Sequence, residues 1–260
     1  MDLNEIKNTG IRAAYTSAKI LNHYFGNLSH IQKKGPNDLV TEADMASQNR
    51  IIEVIRAKYP AHSILAEESG YEPGESDGWQ WIIDPLDGTT NFAHEIPFFC
   101  ISIAFARANR PQAGIVLNPV SGELFTAVKG GGAELNGRPI NVSTQTEISE
   151  SLLATGFPYN LQDIAQPVSR RFQQCLLAAR GIRRLGSAAL DLCYVACGRF
   201  EAFWEENLNP WDTAAGELIV AEAGGRVTDF AGAPHELDKN EILASNQRIH
   251  DAISALLMAK

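Results

Sequence analysis

The segment IIDPLDGTTNF, residues 82–92, joins an apolar run to two aspartates and a Gly-Thr-Thr turn. An apolar run of this kind is typical of an interior strand. Pro85 fixes the backbone just past the strand and predicts a turn that brings the carboxylates of Asp84 and Asp87 to one side. Two interpretations stay open on these residues alone: a site for a hard cation with oxygen ligands, or an Asx-type turn in which Asp87 caps the chain ahead of Gly88.

The residues after the aspartates favour an anion site. Gly88 permits close backbone approach, and free N–H groups at the start of a helix or tight turn would face outward here. The carbonyl of Leu86, between the two aspartates, adds an oxygen donor of the kind that Mg²⁺ takes together with substrate phosphate. Metal ligands followed by an anion-binding turn describe a phosphate site. The sequence contains no G-x-x-x-x-G-K-[ST], so a Walker loop is excluded.

The overall composition indicates a folded, acidic protein. Of its 260 residues, 45% are hydrophobic, which is enough to bury a sizeable core in one large domain or two closely joined ones. A net charge of −9 disfavours a general nucleic-acid binder, whose surface needs a basic excess. No apolar stretch reaches the roughly 18 residues of a membrane span, and the first residues lack the order of a signal peptide. We therefore expect a cytoplasmic protein with no membrane partner.

Hydrophobic periodicity in the first half predicts helices followed by sheet. Helical spacing begins at Ile11 and recurs from about Thr41 to Tyr59, where Pro60 ends it. Apolar segments separated by turn signals then fill the middle of the chain, which indicates antiparallel sheet. We expect an α+β sub-domain over residues 1–145 that carries most of the acidic site residues.

The second half has a different pattern. After about residue 145, short apolar strands alternate with helical segments, and helices are predicted at 168–180, 187–196 and 211–223. This alternation indicates an α/β sub-domain over residues 146–260. Together the two halves predict a mixed α+β and α/β fold with layered helices and sheets.

Acidic residues recur where predicted elements end. They fall at 38–44, 67–68, 84 with 87, and 212. Thr41 and Asp44 have the spacing of a capping box. Asp212 is predicted as the N-cap of the helix that follows it. A capping carboxylate can still present its second oxygen to a metal ion, so the two roles are compatible.

Four motifs occur in a particular order and spacing along the chain. They are DLVTEAD at 38–44, AEES at 66–69, DPLDGTTNF at 84–92 and WDTAAGELIVAEAGG at 211–225. This set resembles the inositol monophosphatase family, within the Mg²⁺-dependent, Li⁺-sensitive phosphatases. The resemblance implies a layered αβαβα sandwich, usually a homodimer. It also implies hydrolysis of a phosphate monoester by water that two or three Mg²⁺ ions activate, with inhibition by Li⁺.

The resemblance implies a role for each matching residue. The metal ligands would be Glu67, Asp84, the Leu86 carbonyl, Asp87 and Asp212. Thr89 with Asp44 would orient and deprotonate the attacking water, and Glu67 completes the catalytic set. The implied substrate contacts are Asp87, Gly88, Thr89, Thr90, Ala188, Glu205 and Asp212.

The substrate is less well defined than the reaction. Asn209 stands where many relatives have a histidine, two residues before the Trp211-Asp212 pair and on the substrate side. We expect inositol 1-phosphate or a related small phosphorylated polyol, with fructose-1,6-bisphosphate and adenosine 3′,5′-bisphosphate as alternatives. Arg183 and Arg184 could face substrate or a dimer partner, and we favour a solvated or interfacial role. Bacterial members of the family suggest a further alternative, a transcription-machinery partner for which turnover is incidental.

Overall fold

The computed structural model describes residues 1–28, 31–33, 39–75, 78–158 and 160–259, and only the backbone at 31–33. Asp38, the first residue of the acidic segment at 38–44, lies outside this part of the chain.

The described residues form seven α-helices and fifteen strands. The helices are α1 (Leu3–Tyr24), α2 (Glu42–Arg56), α3 (Thr89–Ala93), α4 (Leu161–Ala178), α5 (Ala188–Ala196), α6 (Pro210–Glu222) and α7 (His250–Met258). The strands are β1 (Ile31–Lys33), β2 (Leu39–Thr41), β3 (Ser63–Ala66), β4 (Gly70–Glu72), β5 (Trp79–Asp87), β6 (Cys100–Arg107), β7 (Arg110–Leu117), β8 (Leu124–Val128), β9 (Ala133–Leu135), β10 (Arg138–Ile140), β11 (Leu152–Thr155), β12 (Gly181–Arg183), β13 (Ala202–Glu206), β14 (Arg226–Thr228) and β15 (Glu241–Ser245).

The larger sheet has eight strands in the order β10-β9-β8-β7-β6-β5-β3-β4. Its strand pairs are antiparallel except for β3 with β5, which run parallel. Successive side chains of β5 face opposite sides. Ile83 packs in the core formed with α1 and α2, whereas Ile82 packs in the core formed with α5 and α6. The apolar run of β5 is continuous because helices cover both faces of the sheet.

The smaller sheet has the order β12-β11-β13-β15-β14, with β11 parallel to both of its neighbours. Helices α5 and α6 lie between the two sheets, since the core that holds Leu192 and Ile219 also includes Phe203 of β13. On the other face of this sheet, Trp204 packs with Cys175 of α4 and with residues of α7. The layers are thus α1 and α2, sheet, α5 and α6, sheet, α4 and α7. The predicted αβαβα sandwich is confirmed.

Helix α1 is longer than the sequence pattern predicted. It begins at Leu3 rather than near Ile11. Asp2 caps it by accepting hydrogen bonds from the backbone N–H groups of Asn4 and Glu5. A capping aspartate of this kind satisfies N–H groups that have no partner within the helix, so it fixes where the helix begins.

The bounds of two other helices also differ from prediction. Helix α4 begins at Leu161, ahead of the predicted residue 168, and contains Pro167. Proline lacks the N–H that a helix interior requires, and the helix is kinked near it, with a φ of −127° at Ile164. Helix α2 ends at Arg56, before the predicted end at Tyr59.

The predicted boundary between residues 145 and 146 falls in the segment between β10 and β11, which belong to different sheets. Buried residues of both halves nevertheless share one core, in which Phe125 and Val116 pack with Val195 and Phe203. The division into two sub-domains stays a prediction.

Candidate active site

Strand β5 brings both motif aspartates to its carboxyl end. Its pairing with β6 shifts between Asp84, opposite Ser102, and Asp87, opposite Cys100, so β5 carries one extra residue there. This is a β-bulge. Residues three apart on a regular strand face opposite sides, and the extra residue returns Asp87 to the side of Asp84. The turn predicted at Pro85 is therefore a bulge in a continuing strand, a position that tolerates the missing proline N–H.

Gly88 joins β5 to the short helix α3. Its φ of +95° lies in the left-handed region, which favours glycine. A Cβ at Gly88 would lie 3.1 Å from the carbonyl oxygen of Phe98 and 3.2 Å from that of Gly186. Both the backbone conformation and the crowding therefore select glycine here. The helix or tight turn expected after Gly88 is α3.

Asp44 and Thr89 meet although they are far apart in the sequence. Thr89 Oγ1 lies 3.3 Å from Asp44 Oδ1 and 3.0 Å from the carbonyl oxygen of Leu86. Asp44 Oδ2 accepts hydrogen bonds from the backbone N–H and the hydroxyl of Thr41, which completes the predicted capping box of α2. Burial raises the pKa of Asp44 to about 6, and the hydrogen bonds from Thr41 oppose that rise.

The parallel pairing of β3 with β5 places Glu67 near Asp84. Parallel strands end at the same edge of a sheet, and the backbone N–H of Glu67 donates to the carbonyl of Ile83 at 3.1 Å. Asp84 is only 2% exposed. Burial raises the pKa of Asp84 well above its usual range, and the charge of Glu67 is the next largest cause. The charges of Asp87 and Asp212 add to the same rise.

The structure corrects the role of Asp212 in its helix. Helix α6 begins at Pro210, so Asn209 is the N-cap and Asp212 is the third residue of the helix. Proline is favoured at the first helical position, because the N–H that it lacks would have no partner there. Asp212 Oδ2 reaches back to accept a hydrogen bond from the Asn209 backbone N–H at 2.7 Å, as Asp44 does from Thr41 at 2.8 Å.

The start of α5 holds Asp87. Asp87 Oδ2 accepts hydrogen bonds from the Ser187 hydroxyl at 2.6 Å and from the Ala189 N–H at 2.8 Å. Burial raises the pKa of Asp87, and these hydrogen bonds oppose the rise. Burial also raises the pKa of Asp212, with the charge of Asp87 as the next cause. For Asp84, Asp87 and Asp212, burial is the largest cause of the raised pKa, and for Asp84 and Asp212 the charges of neighbouring carboxyl groups add to it.

A cavity of about 510 Å³ opens beside these carboxylates. Every residue predicted to contact substrate lines it: Asp87, Gly88, Thr89, Thr90, Ala188, Glu205 and Asp212. The other predicted site residues, Asp44, Glu67, Asp84 and Leu86, are not among its lining residues. The structure thus gathers the substrate set around one cavity, whereas the roles of the individual residues stay predictions.

The cavity is also lined by Glu205 and Arg184. Burial raises the pKa of Glu205 to about 8, and the charge of Arg184 opposes the rise. Glu205 is pressed against Gly156, where a Cβ would lie 2.0 Å from Glu205 Oε2. Arg184 is exposed, as expected, but it also lines the cavity, with its Cζ 5.8 Å from the ring centroid of Phe157.

Ser187 and Asp191 are among the cavity residues that sequence reasoning missed. Ser187 carries no sequence signal, because its contact with Asp87 joins residues 100 positions apart. Asp191 does carry a signal, since it is the one acid in the apolar helix sequence AALDLCYVA of α5. A buried carboxyl among apolar residues is costly unless it has a partner or a role, so such an acid indicates function.

The predicted ligand set suits a hard cation, although its side chains are not already arranged around one. In the part of the chain that the structure describes, no group of three or more His, Cys, Asp or Glu side chains is placed to hold a metal ion. Oxygens of Asp84 and Asp212 accept backbone N–H groups instead. The predicted donors are nevertheless all oxygens, which Mg²⁺ prefers, and the mutual repulsion of the carboxylates favours a cation. The residues fit Mg²⁺ by their chemistry.

Comparison with known proteins places the chain in one family. The model of the inositol monophosphatase family matches residues 2–259. An inositol-1-monophosphatase from Synechocystis sp. is 46% identical over 239 residues, which cover 90% of this chain and 82% of that protein. The Nus factor SuhB of Pseudomonas aeruginosa is 42% identical over 252 residues, which cover 95% of this chain and 93% of that protein.

A solved structure agrees with the layered architecture. The extragenic suppressor protein suhB from Bartonella henselae matches with a TM-score of 0.93 at 39% identity, and the match covers 98% of each chain. The fold and these matches define a phosphatase of the layered αβαβα class. The chain belongs to the inositol monophosphatase family, whose members are generally Mg²⁺-dependent. The resemblance seen in the sequence motifs is confirmed.

Proposed function

We propose that the protein hydrolyses inositol 1-phosphate, and related small polyol phosphates, to the alcohol and inorganic phosphate. One observation carries this proposal. The cavity is lined by the carboxyl groups of Asp87 and Asp212 and also by Glu205. A phosphorylated polyol needs both a site for its phosphate with cations and a site for its hydroxyl groups.

The metal would be held by Glu67, Asp84, the Leu86 carbonyl, Asp87 and Asp212, with two or three Mg²⁺ ions per site. Bound Mg²⁺ would lower the pKa of an attacking water and stabilise charge on the phosphate and leaving oxygens. Inhibition by Li⁺ is part of the same proposal.

Asp44 and Thr89 would handle the proton of the attacking water. The Thr89 hydroxyl lies within reach of Asp44 Oδ1, so a proton taken up at Thr89 Oγ1 can pass to the carboxylate. The pKa of Asp44, raised by burial to about 6, makes it a better proton acceptor than an ordinary aspartate while leaving it ionised near neutral pH.

The remaining cavity residues would bind the substrate. Backbone N–H groups of Gly88, Thr89 and Thr90 would bind phosphate oxygens. Ala188 would provide a small apolar contact for the ring, and Glu205 would accept hydrogen bonds from hydroxyl groups.

The test is phosphate release from inositol 1-phosphate by the purified protein at a fixed Mg²⁺ concentration. We expect release to require Mg²⁺ and to fall when Li⁺ is added. Asp87→Asn should lose activity while its circular dichroism spectrum stays that of the wild type, and Asp238→Asn, the same change at an exposed position, should remain active. Wild-type turnover in Asp87→Asn would show that the ligand assignment is wrong.

A substrate panel tests the preference for inositol. Fructose-1,6-bisphosphate and adenosine 3′,5′-bisphosphate should be hydrolysed more slowly than inositol 1-phosphate under matched conditions. Equal rates on all three would contradict the preference but leave the phosphatase assignment in place.

A second candidate function is an interaction with the transcription machinery. The 42% identity to a protein named Nus factor SuhB, over 95% of this chain, favours it. In this case the immobilised protein should retain RNA polymerase subunits, and Asp87→Asn should retain them equally well. Failure of both proteins to retain polymerase would contradict this candidate.

Assembly and location complete the proposal. We propose that the protein is a homodimer in the cytoplasm. Sedimentation of the purified protein would test whether it is a dimer. None of the helices in the described residues is long and apolar enough to cross a membrane.

A further inference from the structure

Asp191 is an acid in the cavity wall that the proposed reaction does not use. It lies on α5, lines the cavity and is only 1% exposed. Among the described residues, its Oδ1 is one of two buried side-chain atoms with no hydrogen-bond partner, and Gln174 Oε1 is the other. By contrast, Asp87, which also lines the cavity, accepts hydrogen bonds at its Oδ2. A buried carboxyl oxygen without a donor is costly to the folded protein, so its retention calls for a function.

The groups around Asp191 indicate what that function is. Glu205 also lines the cavity, and its negative charge adds to the effect of burial in raising the pKa of Asp191. Arg184, at the exposed rim of the cavity, acts in the opposite direction. This part of the cavity therefore presents two carboxyl groups, and Oδ1 of one of them, Asp191, has no donor. A polyol supplies hydroxyl donors on successive carbons, whereas inorganic phosphate supplies mainly acceptors.

We propose that Asp191 is a specificity-determining residue whose Oδ1 accepts a hydrogen bond from a hydroxyl of the alcohol part of the substrate, beside Glu205. This inference rests on the proposed function, because it assumes that a phosphorylated polyol occupies the cavity. It adds a residue of α5 to the alcohol-binding wall.

The physical basis is the cost of an unpaired buried group. A site built to bind a hydroxyl discriminates against an analogue that lacks it, because the acceptor is then left buried without a donor. Asp191 should therefore matter most for substrates with hydroxyl groups near the phosphate ester. It should matter less for an aryl phosphate, whose leaving group has no such donors.

The test compares two substrates. The ratio of kcat/KM for inositol 1-phosphate to kcat/KM for 4-nitrophenyl phosphate is measured for the wild type and for Asp191→Ala. We expect the ratio to fall about ten-fold in Asp191→Ala, mainly through a higher KM for inositol 1-phosphate, as for loss of one hydrogen bond to a buried group. Asp191→Asn keeps an acceptor oxygen of similar size and should restore most of the ratio.

Gln174→Leu is the matched control, because it removes the other buried oxygen without a partner at a position that does not line the cavity. It should keep the wild-type ratio. Thermal unfolding supplies a readout that is independent of turnover: Asp191→Ala should have a Tm at or above that of the wild type, since the alanine leaves no unpaired carboxyl. If Asp191→Ala aggregates, Asp191→Ser provides the same kinetic test, because serine can bond back to its own helix.

Several outcomes would overturn the inference. An unchanged ratio in Asp191→Ala would do so, as would an equal fall in the ratio in Gln174→Leu. If the wild type hydrolyses both substrates and only the ratio fails to respond, the proposed function stands and this inference alone is wrong. If the wild type hydrolyses neither substrate, the proposed function is wrong and this inference falls with it.

Discussion

At the scale of single residues, Gly156 shows how the cavity depends on a missing side chain. It is the residue after β11, and its Cα hydrogen faces the carboxylate of Glu205 on β13. The sequence around it carries no sign of this contact, because the partner lies on another strand. Asp84 and Asp87 differ in this respect, since they are three positions apart in the sequence and follow the same apolar run. Sequence reasoning identifies such local acids, but it cannot identify a close approach between distant residues.

Gly156→Ala should damage substrate binding. A Cβ there would lie 2.0 Å from Glu205 Oε2, so the carboxylate must move out of place. Because small displacements of a positioning group cost up to about 100-fold in rate, we expect kcat/KM for inositol 1-phosphate to fall by about ten-fold or more. Steady-state kinetics measures this.

The matched control is Gly181→Ala on β12, where the new Cβ would meet Arg183 Nη1 at 3.6 Å, an ordinary contact. It should behave as the wild type. Wild-type kinetics in Gly156→Ala would show that the position of Glu205 does not limit the reaction.

At the scale of helices and strands, two helices present an acid in the same way. Asp44 in α2 and Asp212 in α6 each occupy the third helical position and reach back to the capping residue. The sequence predicted this arrangement at Thr41, where the capping-box spacing is plain, but it placed the cap of α6 at Asp212 itself. The start of α6 depends on Pro210. Proline favours the first helical position, so the residue before it, Asn209, is the N-cap.

Helix α7 is joined to the smaller sheet by a buried histidine. His250 is the first residue of α7 and is fully buried. Its Nδ1 lies 2.7 Å from Ser245 Oγ of β15, and its Nε2 lies 2.9 Å from Thr228 Oγ1 of β14. Burial, with a smaller contribution from the charge of Arg226, lowers the pKa of His250 from 6.5 to about 4. The folded protein therefore favours the neutral form of the His250 imidazole.

This histidine should make stability depend on pH. Between pH 6.5 and about 4 the unfolded chain binds a proton at His250 and the folded protein does not, so stability is full above pH 6.5 and falls as the pH drops through about 4. The difference in pKa corresponds to about 3 kcal/mol. Urea unfolding at a series of pH values measures it.

His250→Gln should show a smaller loss of unfolding free energy over this pH range than the wild type. The control is His23→Gln, at an exposed position on α1, which should follow the wild-type pH dependence. Equal pH dependence in the wild type and His250→Gln would contradict the assignment.

At the scale of the whole molecule, the layering sets where the carboxylates meet. The sequence predicted layered sheets and helices from the change in periodicity, but not that α5 and α6 lie between the two sheets. That arrangement depends on contacts such as Leu192 with Gly216, where a Cβ on the glycine would lie 2.6 Å from Leu192 Cδ1. It brings Ser187 and Asp191 of one half to Asp87 of the other, which no local pattern encodes.

The central carboxylates should link metal binding to global stability. Burial and mutual repulsion raise the pKa values of Asp84 and Asp212, so the folded protein without a cation holds these groups at a cost. A ligand that binds only the folded state adds about 2.7 kcal/mol at 100 times its Kd. For a chain of this size, that corresponds to a rise in Tm of about 5–10 °C with Mg²⁺.

Asp84→Asn should separate the two effects. Without metal, it should unfold at or above the wild-type Tm, because a buried repelling charge is removed, and Mg²⁺ should then raise its Tm by much less than it raises that of the wild type. Differential scanning calorimetry at constant ionic strength measures both, with Asp238→Asn as the exposed control that should respond as the wild type does. A wild-type Mg²⁺ response in Asp84→Asn would place the cation elsewhere, and a lower metal-free Tm would show that Asp84 stabilises the fold rather than strains it.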